Sequence, residues 1–262
     1  MEKRLAKKRR RRISLGQHML ASDLVADRVV GACDVSPEDR VLEIGTGRGV
    51  LTRRLAEEAA FVQSFEIDSQ LFGNAKKLLS RYRNLEVVNG DAFEHELDRP
   101  FDICVTSLPY SQSLRFLRWL AVHADCFKRS VAIVQLEFAN KLVSTPGTPS
   151  YRAVSVVAQI SFEIQNLFTI AKTDFDPPPS VVSRVLRLFP KNNLKQPFFD
   201  KSRIHVLDQL FSFRGRLLSS AVRKLAPEGS SRLSPETLAT RMENLSPTEY
   251  SEILCQIELR RS

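Results

Sequence analysis

The sequence predicts an α/β domain built on a parallel sheet, followed by a small all-helical domain. Three observations carry this. Between residues 40 and 140 short apolar runs alternate with helical stretches. Glycines cluster where the first of those runs ends, in EIGTGRG (43–49). Beyond Lys201 the strand pattern gives way to helical segments, broken by glycine, serine and proline at 227–235 and 246–247.

The elements follow in order. VLEIG (41–45) is a short apolar strand that stops at glycine, and LTRRLAEEAA (51–60) reads as the helix after it. FVQSFEID (61–68) is the second strand, followed by a helical stretch to Tyr82. LEVVNGDA (85–92), FDICVTSLPY (101–110) and SVAIVQLE (130–137) are further strands, with a helix from Leu114 to about Val122 between the last two. Apolar strands alternating with helices imply a parallel sheet covered on both faces. After residue 150 the rhythm changes: YRAVSVVAQ reads as a helix. FEIQNLFTI and SVVSRVLRLFP then read as two strands around the proline-rich turn DFDPPPS (174–180), able to pair antiparallel at the edge of the sheet. The expected division is a basic arm (1–12), an α/β domain (13–190) and a helical domain (191–262).

Composition narrows the function classes. A chain of 262 residues can build a core without disulfide or metal staples. Its 43% apolar and 26% charged residues are ordinary for a globular protein. The four cysteines, Cys33, Cys104, Cys126 and Cys255, show no CxxC spacing, and the histidines are scattered, so no metal site is expected. That cysteine set fits a reducing, cytoplasmic compartment. No apolar run approaches the ~20 residues of a membrane span, and no apolar stretch stands behind the basic N-terminus as a secretory signal requires. Net charge is +9 and the pI is near 9.6, a balance that favours a polyanionic partner. Lys3, Arg4, Lys7, Lys8 and Arg9 to Arg12 crowd the first twelve residues, a pattern typical of an arm that touches nucleic acid or anionic lipid. Nothing in the sequence calls for an obligate dimer, so a monomer is expected.

The glycine loop follows a strand and opens a helix. Gly45, Gly47 and Gly49 permit a tight turn and close approach of a ligand to the backbone. Their GxGxG spacing differs from the GxGxxG of dinucleotide enzymes. Glu66 follows Gly45 by 21 residues, at the end of the second strand, where a carboxylate can accept both hydroxyls of a ribose. That pair suits either a nicotinamide dinucleotide or S-adenosylmethionine. Asp91 closes the third strand in NGDAF, where it can accept from an adenine amine or serve as a helix cap or turn residue. SLPY (107–110) ends the fourth strand. An adenine amine is a poor nucleophile because its lone pair is conjugated with the ring. A backbone carbonyl and a side-chain oxygen beside it favour the tetrahedral, nucleophilic form, and an aromatic ring can stack on an extruded base.

Taken together, these motifs resemble those of the ribosomal RNA adenine dimethyltransferase family, the KsgA type. GQHML (16–20) resembles the family's N-terminal cofactor motif, and EIGTGRG, the Glu66 strand end and GDA (90–92) match in order and spacing. FDPPPSVVSRVLRL (175–188) resembles its FxPxPxVxS element, LFSFRGRLLSSAVRKL (210–225) its basic helical motif, and RMENLSP (241–247) its RxENLS element. The resemblance runs from about residue 13 to 256. It implies a class I S-adenosylmethionine-dependent methyltransferase fold, a Rossmann-like sheet, with S-adenosyl-L-methionine as cofactor. It implies that His18 and Leu20 help to hold that cofactor. Gly45 approaches its amino-acid portion, Glu66 its ribose and Asp91 its adenine, with Gly47, Ile67, Ala92 and Ser107 also among the cofactor-binding residues. It places the target amine at Ser107, Leu108, Pro109 and Tyr110. Small-subunit ribosomal RNA, or an immature small subunit, is the implied partner, with Arg203, Arg214, Arg216, Arg223 and Lys224 as candidate contacts.

Two positions depart from the family pattern. Ser107 stands where the family has asparagine, so a hydroxyl replaces an amide carbonyl while the Leu108 carbonyl supplies the second acceptor. FRGR (213–216) interrupts the basic run with Gly215, a residue that weakens a helix interior by ~1 kcal/mol. Ser107 motivates a second expectation, a catalytically weak or inactive RNA-binding assembly factor on the same fold. A nicotinamide-dependent oxidoreductase is disfavoured by the GxGxG spacing and by SLPY.

Overall fold

Residues 18–97, 100–191, 197–226 and 232–257 are described in this computed structural model. The expected basic arm, and Gly16 and Gln17 of the GQHML motif, lie outside the described residues. The first element is a short strand, β1 (Met19–Leu20), followed by α1 (Asp23–Cys33). Ser22 caps that helix by accepting from the Val25 amide, and Asp34 ends it in the left-handed region at φ 53°. Then come β2 (Arg40–Ile44), α2 (Val50–Glu58), β3 (Phe61–Glu66), α3 (Ser69–Leu78), β4 (Leu85–Asn89), β5 (Ile103–Thr106), α4 (Ser113–Val122) and β6 (Arg129–Gln135). After α5 (Leu136–Leu142) and α6 (Ala153–Ser161) the chain forms β7 (Phe162–Ile170), β8 (Phe175–Asp176) and β9 (Ser183–Pro190). The last elements are α7 (Lys201–Phe211), α8 (Leu218–Leu225), α9 (Pro235–Leu238) and α10 (Pro247–Gln256).

Seven strands form one sheet in the order β4-β3-β2-β5-β6-β9-β7. The β4, β3, β2, β5 and β6 strands run parallel, and β9 pairs antiparallel with β6. Ile44 lies level with both Phe65 of β3 and Thr106 of β5, so three strands end at one edge. The chain winds outward from β2 through β3 to β4, then returns to start β5 on the other side of β2. Such a reversal opens a crevice beyond the carboxyl ends of the strands, where α/β sheets hold ligands. Val41, Val62, Ile103, Val131 and Val185, all at 0% exposure, fill the interior of the sheet, with Val29 and Leu55 packed on it from α1 and α2.

The parallel core follows the expected order. Strand ends differ because residues 45–49, 107–110 and 136–142 leave the ladder: the first two become loops at the crevice and the third becomes α5. The expected edge pair of strands is present as β7 and β9. The segment between them does more than turn. Its β8 pairs antiparallel with β1, Met19 against Asp176 and Leu20 against Phe175, forming a separate two-stranded ribbon.

The chain divides into two compact units. One comprises 1–116, 125–139 and 164–190, the other 117–124, 140–163 and 191–262. The second unit thus draws part of α4, the end of α5 and all of α6 from segments inside the expected 13–190 domain. Phe211 stacks on Tyr250 at 5.1 Å between ring centroids, the Tyr250 hydroxyl donates to the Met242 carbonyl at 2.6 Å, and the Tyr151 hydroxyl to that of Leu245 at 2.9 Å. Buried tyrosines satisfied in this way tie α6, α7 and α10 together. Ser246 and Glu249 form a reciprocal capping box on α10. Gly215, expected to weaken a helix interior, lies instead in the turn between α7 and α8, at φ +87°, a conformation that favours glycine. No helix among the described residues is long and apolar enough to cross a membrane.

Candidate active site

A cleft of about 250 Å³ opens at the carboxyl edge of β2, β3, β4 and β5. It is lined by His18, Leu20, Gly45, Gly47, Glu66, Ile67, Asp91, Ala92 and Ser107, so the sheet gathers the residues singled out for cofactor binding into one place, with Leu108 and Pro109 of the target-amine segment beside them. Gly45 has φ +97°, and a Cβ there would lie 3.4 Å from both the Ser107 carbonyl oxygen and Leu108 Cδ2. Glycine therefore brings the loop backbone against the end of β5 in a way that any side chain would hold off. The Gly47 amide points back and donates to Glu66 Oε2 at 2.8 Å.

Glu66 is 6% exposed, and its other oxygen accepts from the Asp68 amide at 2.9 Å. Burial raises its pKa, and the amides of Asp68 and Gly47 oppose that shift. The carboxylate is thus pre-oriented, and each oxygen keeps a lone pair for a further donor. Beside it Ile67 is 67% exposed, an apolar surface left open at the cleft rim. Asp91 accepts from the Phe93 amide at 3.0 Å, as a turn residue does, and also from Arg115 at 2.7 Å. A loop against which a ligand backbone can close, a fixed carboxylate and an open apolar flank fit the amino-acid, ribose and purine portions of S-adenosylmethionine.

On the far side of the cleft stand residues 107–109, and Tyr110 follows them without being part of the cleft's lining. Among the described residues nothing donates to the Ser107 hydroxyl or the Leu108 carbonyl, so both remain acceptors for a ligand. Tyr110 is held at two points. Its hydroxyl meets that of Ser183 at 2.5 Å, and its ring stacks against His18 with centroids 5.8 Å apart. Burial raises the Tyr110 pKa, so the phenol stays protonated near neutrality. His18 Nδ1 lies 2.8 Å from the Pro177 carbonyl. A carbonyl only accepts, so Nδ1 carries the proton and Nε2 is left for other partners. Arg48 of the glycine loop pairs with Asp176 of β8, fastening the β1–β8 ribbon beside the cleft.

In the helical unit, Arg216 and Lys224 sit about the Phe213 ring at 5.9 and 5.7 Å, and both are exposed, as is Arg223. Arg214 and Arg203 are half-buried and donate to the Thr148 and Phe198 carbonyls. The RMENLS element braces this turn: Glu243 accepts from the Gly215 amide at 2.7 Å, and Arg241 donates to the Gly215 carbonyl at 2.7 Å.

Residues 8–258 match the family model described as ribosomal RNA adenine dimethylase. The chain belongs to that family. A probable ribosomal RNA small subunit methyltransferase A of Methanopyrus kandleri is 30% identical over 261 residues, covering 95% of this chain and 93% of its own. The ribosomal RNA small subunit methyltransferase A of Thermotoga neapolitana is 34% identical, covering 91% of this chain and 88% of its own. Among solved structures, a dimethyladenosine transferase from Plasmodium falciparum superposes with a TM-score of 0.76 at 25% identity, over 91% of this chain and 96% of that one. The 23S rRNA methyltransferase ErmE shares the fold, with a TM-score of 0.63 at 24% identity over 91% and 99% of the two chains. The class I methyltransferase fold expected from the motifs is therefore the fold of this family member.

The motifs did not assign a role to every residue of the cleft, even to Glu43 at the head of EIGTGRG. Glu43 is 1% exposed and lines it, holding the Thr52 and Ser64 hydroxyls at 2.6 Å. Desolvation pushes its carboxyl up to about 7. An acidic residue inside an apolar strand was the available signal. Arg115 carried none, since it gains its role only through a partner 24 residues away, and Ser183, though it closes the FxPxPxVxS element, gave no sign of its contact with Tyr110 across 73 residues.

Proposed function

We propose that this member of the ribosomal RNA adenine dimethylase family transfers methyl groups from S-adenosyl-L-methionine to the exocyclic amine of adenosines in small-subunit ribosomal RNA, twice per nucleoside. The cofactor supplies an electrophilic methyl group on a sulfonium, and the reaction needs little beyond alignment and a competent amine. Glu66, with Ile67 beside it, binds the ribose, and Asp91 with Ala92 the adenine. Gly45 and Gly47 admit the amino-acid end, with His18 and Leu20 closing over it. Ser107 Oγ and the Leu108 carbonyl accept hydrogen bonds from the target amine, orienting its lone pair across the cleft. Pro109 directs the chain out of the sheet, and Tyr110 offers a stacking face to the extruded base.

The single observation that carries this reading is the pair of uncommitted acceptors, Ser107 Oγ and the Leu108 carbonyl, on residues that line the cleft. RNA is held through its backbone by Arg216, Arg223 and Lys224, with Arg203 and Arg214 behind them and the basic arm adding charge. Removing residues 1–12 then makes the salt dependence of RNA affinity shallower, while an unchanged slope excludes the arm from phosphate contact. We place the activity in the cytoplasm and assign it to the monomer.

The test is methylation of unmodified small subunits by the purified protein, with nucleosides resolved by mass spectrometry. The expected product is N6,N6-dimethyladenosine. Tight binding of cofactor and subunit without methylated adenosine would overturn the reading.

A further inference from the structure

Arg115 lies in the first turns of α4, lines the cleft, and belongs to none of the motifs that mark the family resemblance. Its Nη1 donates to Asp91 Oδ2 at 2.7 Å while the Phe93 amide donates to Oδ1 at 3.0 Å. The Asp91 side chain is only 17% exposed. Arg115 is itself seated, with its guanidinium 4.7 Å from the Phe93 ring centroid and Nη2 3.4 Å from Glu94. A carboxylate turns easily about its last torsion. Donors on both oxygens stop that rotation and leave one direction on each oxygen for a ligand.

A fixed acceptor selects. It welcomes an amine and rejects a carbonyl at the same place, because two acceptors then face each other with neither satisfied. A carboxylate free to rotate can turn away and lose that selectivity.

We propose that Arg115 is a positioning residue that sets the adenine specificity of the cofactor site by fixing Asp91. The proposal rests on the reading of Asp91 as the partner of the cofactor's adenine amine. Arg115 acts on the cofactor side of the reaction and leaves the methyl-transfer step itself alone.

The experiment is calorimetry of the full-length protein with S-adenosylhomocysteine and with S-inosylhomocysteine, which carries a carbonyl in place of the amine. The wild type should prefer the adenosyl ligand by about a hundredfold. Arg115→Ala should weaken the adenosyl ligand about tenfold and shrink the preference by a similar factor, with the inosyl affinity held within about twofold. In turnover, KM for S-adenosylmethionine should rise while kcat at saturating cofactor stays level. Arg115→Lys should keep most of the preference, because an ammonium still donates to Oδ2. A variant that weakens both ligands equally, with the preference intact, would reduce Arg115 to a structural residue and overturn the proposal. Asp91→Ala separates the two layers of the argument. Loss of preference in Asp91→Ala but not in Arg115→Ala overturns the role of Arg115 alone. A wild type that does not distinguish the two ligands overturns the adenine reading of Asp91 and the proposal with it.

Discussion

On the β2–β3–β4 side of the cleft, polar groups are held by near neighbours in the chain. Glu66 meets amides 19 and 2 residues away, and Asp91 an amide 2 residues away and a guanidinium 24 away. On the β5 side the distances in sequence are long. Tyr110 meets Ser183 across 73 residues, and the ribbon beside the cleft is likewise held from afar, with Arg48 meeting Asp176 across 128 residues and His18 meeting Pro177 across 159. The cofactor side is therefore assembled as soon as two or three consecutive βα units pair. The target side requires β9 in register, and the β1–β8 ribbon that carries Leu20 beside His18 must also close from afar. Substitutions at Glu66 and Asp91 should register in cofactor affinity, and those at Ser107 and Tyr110 in turnover with affinity preserved.

The largest effect tests the first half of that contrast. Glu66→Ala removes a buried carboxylate that holds the Gly47 amide of the glycine loop and that we propose as the ribose's partner. Cofactor binding should weaken by roughly 1.5–3 kcal/mol, read by calorimetry. Equal affinities for variant and wild type would take Glu66 out of the site. On the other side, Tyr110→Ala should lower the single-turnover rate by the equivalent of ~1–3 kcal/mol, as expected for a lost base-stacking surface. Its cofactor affinity should stay within a few-fold, and a large change there would erase the distinction between the two sides. Tyr110→Phe keeps the ring and loses only the contact with Ser183. A drop of ~1 kcal/mol in rate is expected, matched by Ser183→Ala and not doubled by the pair.

The smallest effect concerns Glu43, between the two sides. Burial raises its folded pKa from 4.5 to about 7. The unfolded chain therefore releases this proton first as pH rises, binding fewer protons than the folded one between those values. Folding is unpenalised by this group below 4.5, loses stability as pH climbs towards 7, and carries the full penalty above it. Glu43→Gln can still accept from Thr52 and Ser64 and has no charge to bury. It should melt like the wild type at about pH 4 and a few degrees higher at about pH 8. A gain of the same size at both values would show that the carboxyl does not titrate in this window.

How much of this was legible in the sequence follows the same divide. Gly45, Glu66 and Asp91 each end a strand of predictable apolar pattern, so strand order alone brings them together, and the motifs add their roles. The SLPY segment was visible for the same reason. The ribbon between residues 19–20 and 175–176 was not, because two-residue strands have no periodicity and their pairing is decided by the tertiary fold. The turn at 212–216 read as helix because its basic residues continue the pattern of α7, while Gly215 was the one mark of a break. The second compact unit takes in α6 for a similar reason. An apolar helix carries no label for the core it joins, and Tyr151 commits only by reaching the Leu245 carbonyl.

The central claim is that Ser107, at the end of β5, works as an acceptor for the target amine in place of the family's asparagine. The direct measurement is single-turnover methyl transfer to unmodified small subunits by wild type, Ser107→Ala and Ser107→Asn, with cofactor affinity measured alongside. The account predicts a slower reaction for Ser107→Ala, by ~10²-fold where the contact acts in the transition state. It predicts a rate for Ser107→Asn at least equal to that of the wild type, and cofactor affinities within a few-fold throughout. A Ser107→Ala variant as fast as the wild type would contradict it, leaving the hydroxyl with no part in holding the amine.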